Sequence, residues 1–262
     1  MLIGPDGWAV ENAEGLPSLL RVPSVRSCLF AAELRAPLGL VWHWTGGPAL
    51  GPAFATALAE EIRGFDRVKD RAASWHFLVA KNGRIFQSIQ TDRGAWHVGR
   101  PGRIGGKPEM VQVHADPITG LPSGEPIWDA MAWPGRLFAN INAATIGVEL
   151  ENSGRLEKVG ERFYCWPFWL NPDKPESGVD PKLEVPADRA KLVGATWYDD
   201  YPQAQRDAAA RLLSALVLRY RWTRDVCQYA HKFFDPTRKE DPGPAWMGEY
   251  LPQVLDLIFG PG

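Results

Sequence analysis

The most regular pattern of apolar residues lies between residues 202 and 220. Apolar side chains recur there at intervals of three and four, so they form one continuous stripe along a helix. The stripe consists of Ala209, Leu212, Leu213, Leu216, Val217 and Tyr220. This pattern predicts a helix that lies on a sheet. Less regular but helix-favouring stretches predict two further helices, over 52–63 and 247–259.

Short apolar runs predict buried strands at four places in the chain. These runs cover residues 38–43, 75–79, 84–89 and 144–151. Asn82-Gly83 lies between the second and the third run, and this dipeptide favours a tight hairpin turn. Two long segments show little regular pattern and exceed an ordinary connection, so we interpret them as insertions. They are residues 101–138 and 153–200.

Composition narrows the class of protein. The chain has 262 residues, of which 45% are hydrophobic and 23% charged, as is typical of globular domains. A formal net charge of -2 gives no attraction to nucleic acid or anionic membrane. No apolar stretch approaches the ~20 residues that a membrane helix requires. We therefore expect neither nucleic-acid binding nor membrane insertion. The twelve Trp residues fit core packing or a groove for sugars and peptides, and composition leaves both open.

The cysteines and the N-terminal sequence indicate the compartment in which the chain is made. Three cysteines without a C-x-x-C pair argue against a disulfide framework, and a reducing compartment of synthesis is the simpler interpretation. The first positively charged side chain is Arg21, so the N-terminus lacks the basic region of a classical secretory signal. We expect synthesis in the cytoplasm and no export by the ordinary route.

Two of the five histidines occupy positions that suit a metal ligand. His43 lies where a predicted strand opens into a Gly-rich turn, and such a rigid position suits a functional side chain. His231 precedes Asp241 by ten residues, and Asp241 begins the stiff turn Asp-Pro-Gly-Pro. Two imidazoles and one carboxylate can form a catalytic zinc site with a position left for water. This spacing alone is a weak signal, because His and Asp are common in loops.

Five motifs together give a far more specific signal. They are Val41-Trp-His-Trp-Thr45, Ser74-Trp-His-Phe-Leu-Val79, Gly94-Ala-Trp-His-Val-Gly99, Ile146-Gly-Val-Glu-Leu-Glu151 and the segment 231–244. In this order the motifs resemble those of the zinc-dependent N-acetylmuramoyl-L-alanine amidases. That family includes phage endolysins, bacterial cell-wall-recycling amidases and peptidoglycan recognition proteins. The resemblance covers roughly residues 37–100 and 140–247.

The resemblance implies a fold and a domain organisation. It implies an α/β fold in which helices flank a central mixed β-sheet and zinc lies in a cleft over the sheet. Because the motifs at both ends of the chain must meet in one site, we expect a single amidase domain over residues 1–262. Residues 1–36 would be a lead-in, and residues 101–138 and 153–200 would be long insertions.

The resemblance also assigns roles to individual residues. It implies that His43, His231 and Asp241 are the ligands of Zn²⁺. Lys239 matches the catalytic lysine of the family, and Glu149 matches a glutamate near the metal water of the recycling branch. Trp75 stands where many phage amidases have a tyrosine. Because Trp has no ionisable group, we expect the acid/base role to fall to Glu149.

Further residues in the motifs are candidates for substrate contact. They are Trp44, Thr45, Trp75, His76, Trp96 and His97. For His76 and His97 a structural role remains the alternative, because His76 lies on a strand and either imidazole can serve the core instead.

The expected activity is hydrolysis of the amide bond between N-acetylmuramic acid and L-alanine in peptidoglycan, by a monomeric enzyme. One alternative is a non-catalytic peptidoglycan-binding module, but such modules typically lack the third zinc ligand. Another is an unrelated zinc peptidase, which the absence of H-E-x-x-H disfavours.

The biological setting has two alternatives. The extra segments and the lack of other cell-wall domains favour a phage-type endolysin, a bacteriolytic and antimicrobial enzyme that reaches the wall after holin-type release. The Asp ligand and Glu149 instead favour a cytosolic recycling amidase that acts on anhydro-muropeptides. We expect the endolysin.

Overall fold

The computed structural model describes thirteen stretches of the chain. They are residues 1–10, 19–21, 29–30, 37–46, 74–98, 103–104, 107–108, 131–133, 136–138, 142, 145–165, 184–234 and 239–262. The predicted helix over 52–63 lies outside the described residues.

The described residues contain nineteen short strands. In chain order these are β1 (Leu2–Ile3), β2 (Ala9–Val10), β3 (Leu19–Arg21), β4 (Leu29–Phe30), β5 (Gly39–Trp44), β6 (Phe77–Val79), β7 (Ile85–Gln87), β8 (Gly94–Ala95), β9 (Arg103–Ile104), β10 (Lys107–Pro108), β11 (Met131–Trp133), β12 (Arg136–Phe138), β13 (Thr145–Leu150), β14 (Arg155–Val159), β15 (Arg162–Cys165), β16 (Glu184–Val185), β17 (Ala190–Val193), β18 (Thr196–Asp199) and β19 (Tyr229–Ala230). The α-helices are α1 (Gln203–Tyr220), α2 (His231–Phe234) and α3 (Leu251–Phe259). Two 3₁₀ turns (Ala187–Arg189 and Asp225–Cys227) and a π-helical turn (Trp246–Tyr250) complete the regular elements of the described residues.

A six-stranded mixed sheet forms the centre of the fold. Its strand order is β19-β5-β13-β6-β7-β3. Strand β5 pairs in parallel with β13 on one side and with β19 on the other, and β13 pairs in parallel with β6. The β6–β7 pair is antiparallel and turns at Asn82-Gly83, where Gly83 has a φ of 82°. The predicted α/β fold with a central mixed sheet is confirmed.

The middle strands are mostly apolar before their carboxyl ends because both faces of the sheet are covered. In β5, Leu40, Val41 and Trp42 are fully buried, and Ile146 and Val148 are fully buried in β13. Helix α1 covers the sheet and buries Leu212, Leu213 and Leu216 along the predicted stripe. The predicted helix over 202–220 is therefore confirmed. The predicted helix over 247–259 is also found, with a first turn of π geometry that begins at Trp246.

The segment 153–200 contains more regular structure than its sequence indicates. Its described residues form a five-stranded antiparallel sheet with the order β16-β15-β14-β18-β17, which we call the insertion sheet. Its strands are only two to five residues long, and many of their side chains are polar and partly exposed. The alternation of apolar and polar residues in such short strands is hard to recognise in a sequence rich in prolines and charged residues. That residues 1–262 form one domain remains a prediction.

Among the described residues, no helix combines the length and the apolar character needed to cross a membrane.

A buried network of charges joins the insertion sheet to the central sheet. Asp199 of β18 is fully buried and accepts hydrogen bonds from Arg189 Nη2 at 2.7 Å and from the Ser153 backbone N–H at 2.8 Å. Lys81, in the turn between β6 and β7, places its Nζ 3.0 Å from Asp199 Oδ1. The carboxylate is thus shared between two cations from different parts of the fold. Such a group is costly to bury and still more costly to leave without a partner.

We predict that Asp199→Ala lowers the free energy of unfolding by about 3–5 kcal/mol, because the substitution leaves Lys81 buried without its counter-charge. Urea denaturation followed by tryptophan fluorescence measures the loss. Glu184→Ala is the matched control, since it removes an exposed ion pair with Arg162 and should leave the midpoint nearly unchanged. Equal effects of the two substitutions would contradict the prediction.

Candidate metal and catalytic site

Three parallel strands bring the central polar residues of the site to one edge of the sheet. His43 is the penultimate residue of β5, and Glu149, the penultimate residue of β13, is its partner in the strand register. Strand β19 pairs Ala230 with Trp42, so the next residue, His231, comes level with His43. The carboxyl ends of parallel strands are the usual place for a functional site in α/β proteins.

The three predicted metal ligands meet at one point. His43 Nδ1 lies 3.0 Å from His231 Nδ1 and 3.2 Å from Asp241 Oδ2, and His231 Nδ1 lies 3.0 Å from the same carboxylate oxygen. All three residues are buried. We call these residues the ligand cluster.

A tight turn holds Asp241 in the ligand cluster. The backbone N–H of Lys232 donates to Asp241 O at 3.2 Å, and Gly243 N–H donates to Glu240 O at 2.8 Å. The hydroxyl of Tyr201 donates to Pro242 O at 2.6 Å. Gly243 has a φ of 82°, and a Cβ there would lie 2.4 Å from Trp44 Cζ3. This turn therefore requires glycine both for its conformation and for its contact with Trp44.

The electrostatics of the ligand cluster suit a cation. Burial, together with the neighbouring His231, lowers the pKa of His43 to about 4, so His43 is neutral at pH 7. Burial acts to raise the pKa of Asp241, but hydrogen bonds with His231 and His43 outweigh it and hold that pKa well below its ordinary value. A neutral imidazole and an ionised carboxylate are the forms that bind a metal.

The spacing of the three ligand atoms also fits a metal ion. Two tetrahedral ligands, each about 2.0–2.1 Å from zinc, lie roughly 3.3 Å from each other. The observed separations of 3.0–3.2 Å are close to that edge length. Without a cation, the two imidazole nitrogens and the carboxylate oxygen would have too few protons to form a hydrogen bond at each of their three contacts. The residues present therefore fit a divalent cation held by two nitrogens and one oxygen.

Glu149 lies beside the ligand cluster with an unusual carboxylate. Its Oε2 is buried and has no hydrogen-bond partner among the described residues. Burial raises the pKa of Glu149 well above its ordinary value, the charge of Asp241 raises it further, and Lys239 opposes the rise. Half-buried Lys239 is thus close enough to influence this carboxylate. A buried carboxyl group whose pKa is raised by its surroundings is a candidate for acid/base chemistry.

The candidate substrate contacts have varied surroundings. Trp44 is half-buried and packs on Gly154, Gly243 and the ring of Tyr198. Thr45 is half-buried and bonds to Asn152 through its Oγ1. Trp75 is only 4% exposed, whereas Trp96 is half-buried. Contact of these four residues with substrate remains a prediction, and Trp44, Thr45 and Trp96 offer surface for it.

The remaining two histidines lie deeper. His76 is fully buried: its Nε2 donates to Arg93 O at 2.7 Å, and its Nδ1 accepts from Gly147 N–H at 3.0 Å. His97 is 6% exposed, and its Nδ1 lies 3.0 Å from His43 Nε2. These positions favour the structural alternative for both residues, although their contact with substrate remains a prediction.

Three residues around His97 were not singled out from the sequence. Asn142 Oδ1 accepts hydrogen bonds from the backbone N–H groups of His97 and Val98, and Thr145 Oγ1 lies 3.2 Å from His97 Nε2. At Gly147 a Cβ would lie 2.5 Å from His97 Cγ. A glycine inside an apolar strand signals a close approach of another group, and this signal was available in the sequence.

The family comparison bears directly on this site. The model of a family described as N-acetylmuramoyl-L-alanine amidase matches residues 33–244, which include the whole ligand cluster, Glu149 and Lys239. The chain belongs to this amidase family. The predicted family and enzyme class are thereby confirmed, and the protein is an N-acetylmuramoyl-L-alanine amidase.

Solved structures of related proteins resemble the amidase at low identity. A selenomethionine derivative of AmpD is 21% identical, with 97% of this chain and 99% of that chain covered and a TM-score of 0.47. AmiD from E. coli, in complex with anhydro-N-acetylmuramic acid-L-Ala-D-gamma-Glu-L-Lys, is 22% identical, with coverages of 86% and 59% and a TM-score of 0.46. A mutant endolysin from Bacillus subtilis is 16% identical, with coverages of 93% and 98% and a TM-score of 0.47. The search of curated proteins gave no match.

We predict that His76 makes the stability of the amidase depend on pH. Burial lowers the pKa of His76 to about 4 from an ordinary 6.5, so the unfolded chain binds this proton first as the pH falls. The contribution of His76 to the free energy of unfolding is fully present above pH 6.5. It is lost as the pH falls toward 4, and the loss amounts to about 3 kcal/mol.

The measurement compares the wild type with His76→Gln, whose amide can replace both backbone hydrogen bonds but does not titrate. Denaturation between pH 7 and pH 4, with a chelator present, should give a flatter stability curve for the variant. Parallel curves would show that His76 does not carry the effect.

Proposed function

We propose that this amidase is a zinc enzyme that cleaves the bond between N-acetylmuramic acid and L-alanine in intact peptidoglycan, as a phage-type endolysin. The observation that carries the zinc dependence is the convergence of two Nδ1 atoms and one carboxylate oxygen within hydrogen-bond distance of one another. His43, His231 and Asp241 would hold the metal. Zinc supplies a Lewis acid, which makes water nucleophilic near neutral pH and polarises a carbonyl.

The chain's own residues would carry the proton transfers. Glu149 takes a proton from the attacking water and delivers it to the nitrogen of the leaving L-alanine, so the carboxylate is regenerated in each turnover. Its buried Oε2 has no hydrogen-bond partner among the described residues. This supports the role, because a buried carboxylate that serves only the structure is normally hydrogen-bonded. Lys239 stabilises the negative charge that develops on the carbonyl oxygen. Trp75 has no ionisable group, which leaves the acid/base role to Glu149.

Two substrates distinguish the two settings. An endolysin acts on the cross-linked wall after holin-type release, whereas a recycling amidase acts on soluble anhydro-muropeptides in the cytoplasm. The length of the two segments outside the family motifs supports an extended substrate, because hydrolysis of a small muropeptide requires no such additions. A monomer is sufficient, since one chain contributes every proposed site residue.

We expect the zinc-loaded wild type to release new L-alanine amino termini from purified sacculi without new reducing sugar ends. Asp241→Ala should release none, because it removes one metal ligand. Mass spectrometry of the soluble products, with labelling of amino groups, gives both readouts. The same protein is then assayed on soluble anhydro-muropeptides.

The outcomes separate the parts of the proposal. Cleavage of muropeptides with untouched sacculi would replace the endolysin by a recycling enzyme. Binding to sacculi without new amino termini would leave a recognition module, and full activity after exhaustive metal removal would refute zinc dependence.

A second prediction concerns Glu149. Glu149→Gln preserves size but cannot accept the proton, so we expect kcat to fall by about 10²–10⁴-fold while one zinc per chain is retained. The matched control is Glu157→Gln on β14, a partly exposed carboxylate of the insertion sheet, which should retain wild-type kcat. A Glu149→Gln enzyme with normal kcat would assign the proton transfer elsewhere.

A further inference from the structure

The ring of His43 is held from its far side as well as from the ligand cluster. Its Nδ1 faces His231 and Asp241, whereas its Nε2 lies 3.0 Å from His97 Nδ1. His97 Nε2 in turn lies 3.2 Å from Thr145 Oγ1. The two imidazoles meet nearly edge to face, with an interplanar angle of 88°. A buried chain of polar groups therefore runs from the ligand cluster to the first residue of β13.

Metal binding would fix the direction of every proton in this chain. If His43 Nδ1 gives its lone pair to a cation, the proton of the neutral ring is on Nε2. That N–H can donate only to an unprotonated His97 Nδ1. His97 then carries its own proton on Nε2 and donates it to Thr145 Oγ1. The observed contacts match this sequence of donors and acceptors.

We propose that His97 is a positioning residue for the metal: it orients the ring of His43 and fixes its metal-binding tautomer, with Thr145 as the anchor of the chain. This inference rests on the proposed zinc dependence. The role of His97 is then to hold His43, and this role differs from contact with substrate. Outer partners of this kind commonly set the affinity of a metal site.

The surroundings of His97 are built for a fixed ring. Gly147 leaves the space that the ring occupies, because a Cβ there would lie 2.5 Å from His97 Cγ. Asn142 fixes the backbone through two hydrogen bonds, at 3.0 Å to His97 N–H and at 2.8 Å to Val98 N–H. With only 6% exposure, His97 has little surface to offer a ligand.

The second histidine ligand provides a contrast. His231 Nε2 is buried and has no hydrogen-bond partner among the described residues. Of the two histidine ligands, only His43 therefore has an outer hydrogen-bond partner among the described residues. Loss of His97 should consequently affect metal affinity strongly.

The test is the zinc dissociation constant, measured by competition with a chromophoric chelator. His97→Phe keeps a ring but removes the acceptor for His43, and we expect about 10–100-fold weaker zinc binding. His97→Asn places an amide oxygen near the former Nδ1 and should recover most of the affinity. Glu157→Gln on the insertion sheet is the control, a partly exposed carboxylate outside this chain of contacts, and should bind zinc like the wild type.

The outcomes are distinct. A folded His97→Phe protein with wild-type zinc affinity would overturn the inference while leaving the zinc enzyme intact. A wild type that binds no zinc would overturn the proposed function and this inference with it. Weaker binding in His97→Phe but not in Glu157→Gln, with recovery in His97→Asn, would support the inference.

A second measurement needs no variant and applies even if His97→Phe fails to fold. Long-range ¹H–¹⁵N correlation spectra of the zinc-loaded protein report which nitrogen of each neutral histidine carries the proton. We expect His43 and His97 both to be protonated on Nε2. A His97 protonated on Nδ1 could not accept from His43 and would overturn the inference.

Discussion

The parallel pairing of β5 with β13 and β19 is the constraint on which the site depends. It sets His43, Glu149 and His231 level with one another at the edge of the sheet, although they are far apart in sequence. A shift of one residue in either pairing would turn a polar side chain to the opposite face. The apolar residues that precede them in these strands hold the register, because each must remain in the core. Packing of apolar side chains thus determines where the polar chemistry is placed.

The site concentrates groups that would destabilise an ordinary core. It contains two buried imidazoles in contact, a carboxylate between them and a second carboxyl group with an unpaired buried oxygen. Proteins retain such arrangements mainly where function requires them. The free energy that offsets their burial comes from the dense apolar packing around them. This packing includes the contact between Trp42 and Trp246, whose ring centroids lie 5.0 Å apart. The apolar packing of the core therefore offsets the cost of the buried polar groups at the end of the sheet.

Much of this architecture could be predicted from the sequence. Helix α1 and strands β5 and β13 have strong apolar patterns, and Asn82-Gly83 identifies the hairpin between β6 and β7. The ligand cluster was predicted from the order of the motifs rather than from spacing. His43 is separated from His231 by 188 residues and from Asp241 by 198, and such separations carry no geometric information without a fold.

Other features depend on tertiary contacts that leave little trace in one sequence. The insertion sheet consists of short polar strands whose pairing becomes evident only in three dimensions. The neighbour of His97 could not be deduced, since an imidazole beside a tryptophan in a loop serves equally well as a substrate contact or as an internal support. Gly147 was the available signal, but a missing side chain indicates a close approach without naming the group that approaches.

The charge network at Asp199 has a consequence for the modularity of this enzyme. An insertion that is merely appended to a domain can be excised, and its loss leaves the parent surface intact. Here the central sheet contributes Lys81, whose ammonium group is buried against a carboxylate from the insertion sheet. Trimming residues 155–199 to obtain a minimal catalytic domain would therefore remove the carboxylate that pairs with Lys81 and that accepts the Ser153 backbone N–H. Where the central sheet now has a buried ionic contact, a shortened enzyme would have a polar surface, so the insertion sheet cannot be removed without altering the part of the fold against which it packs.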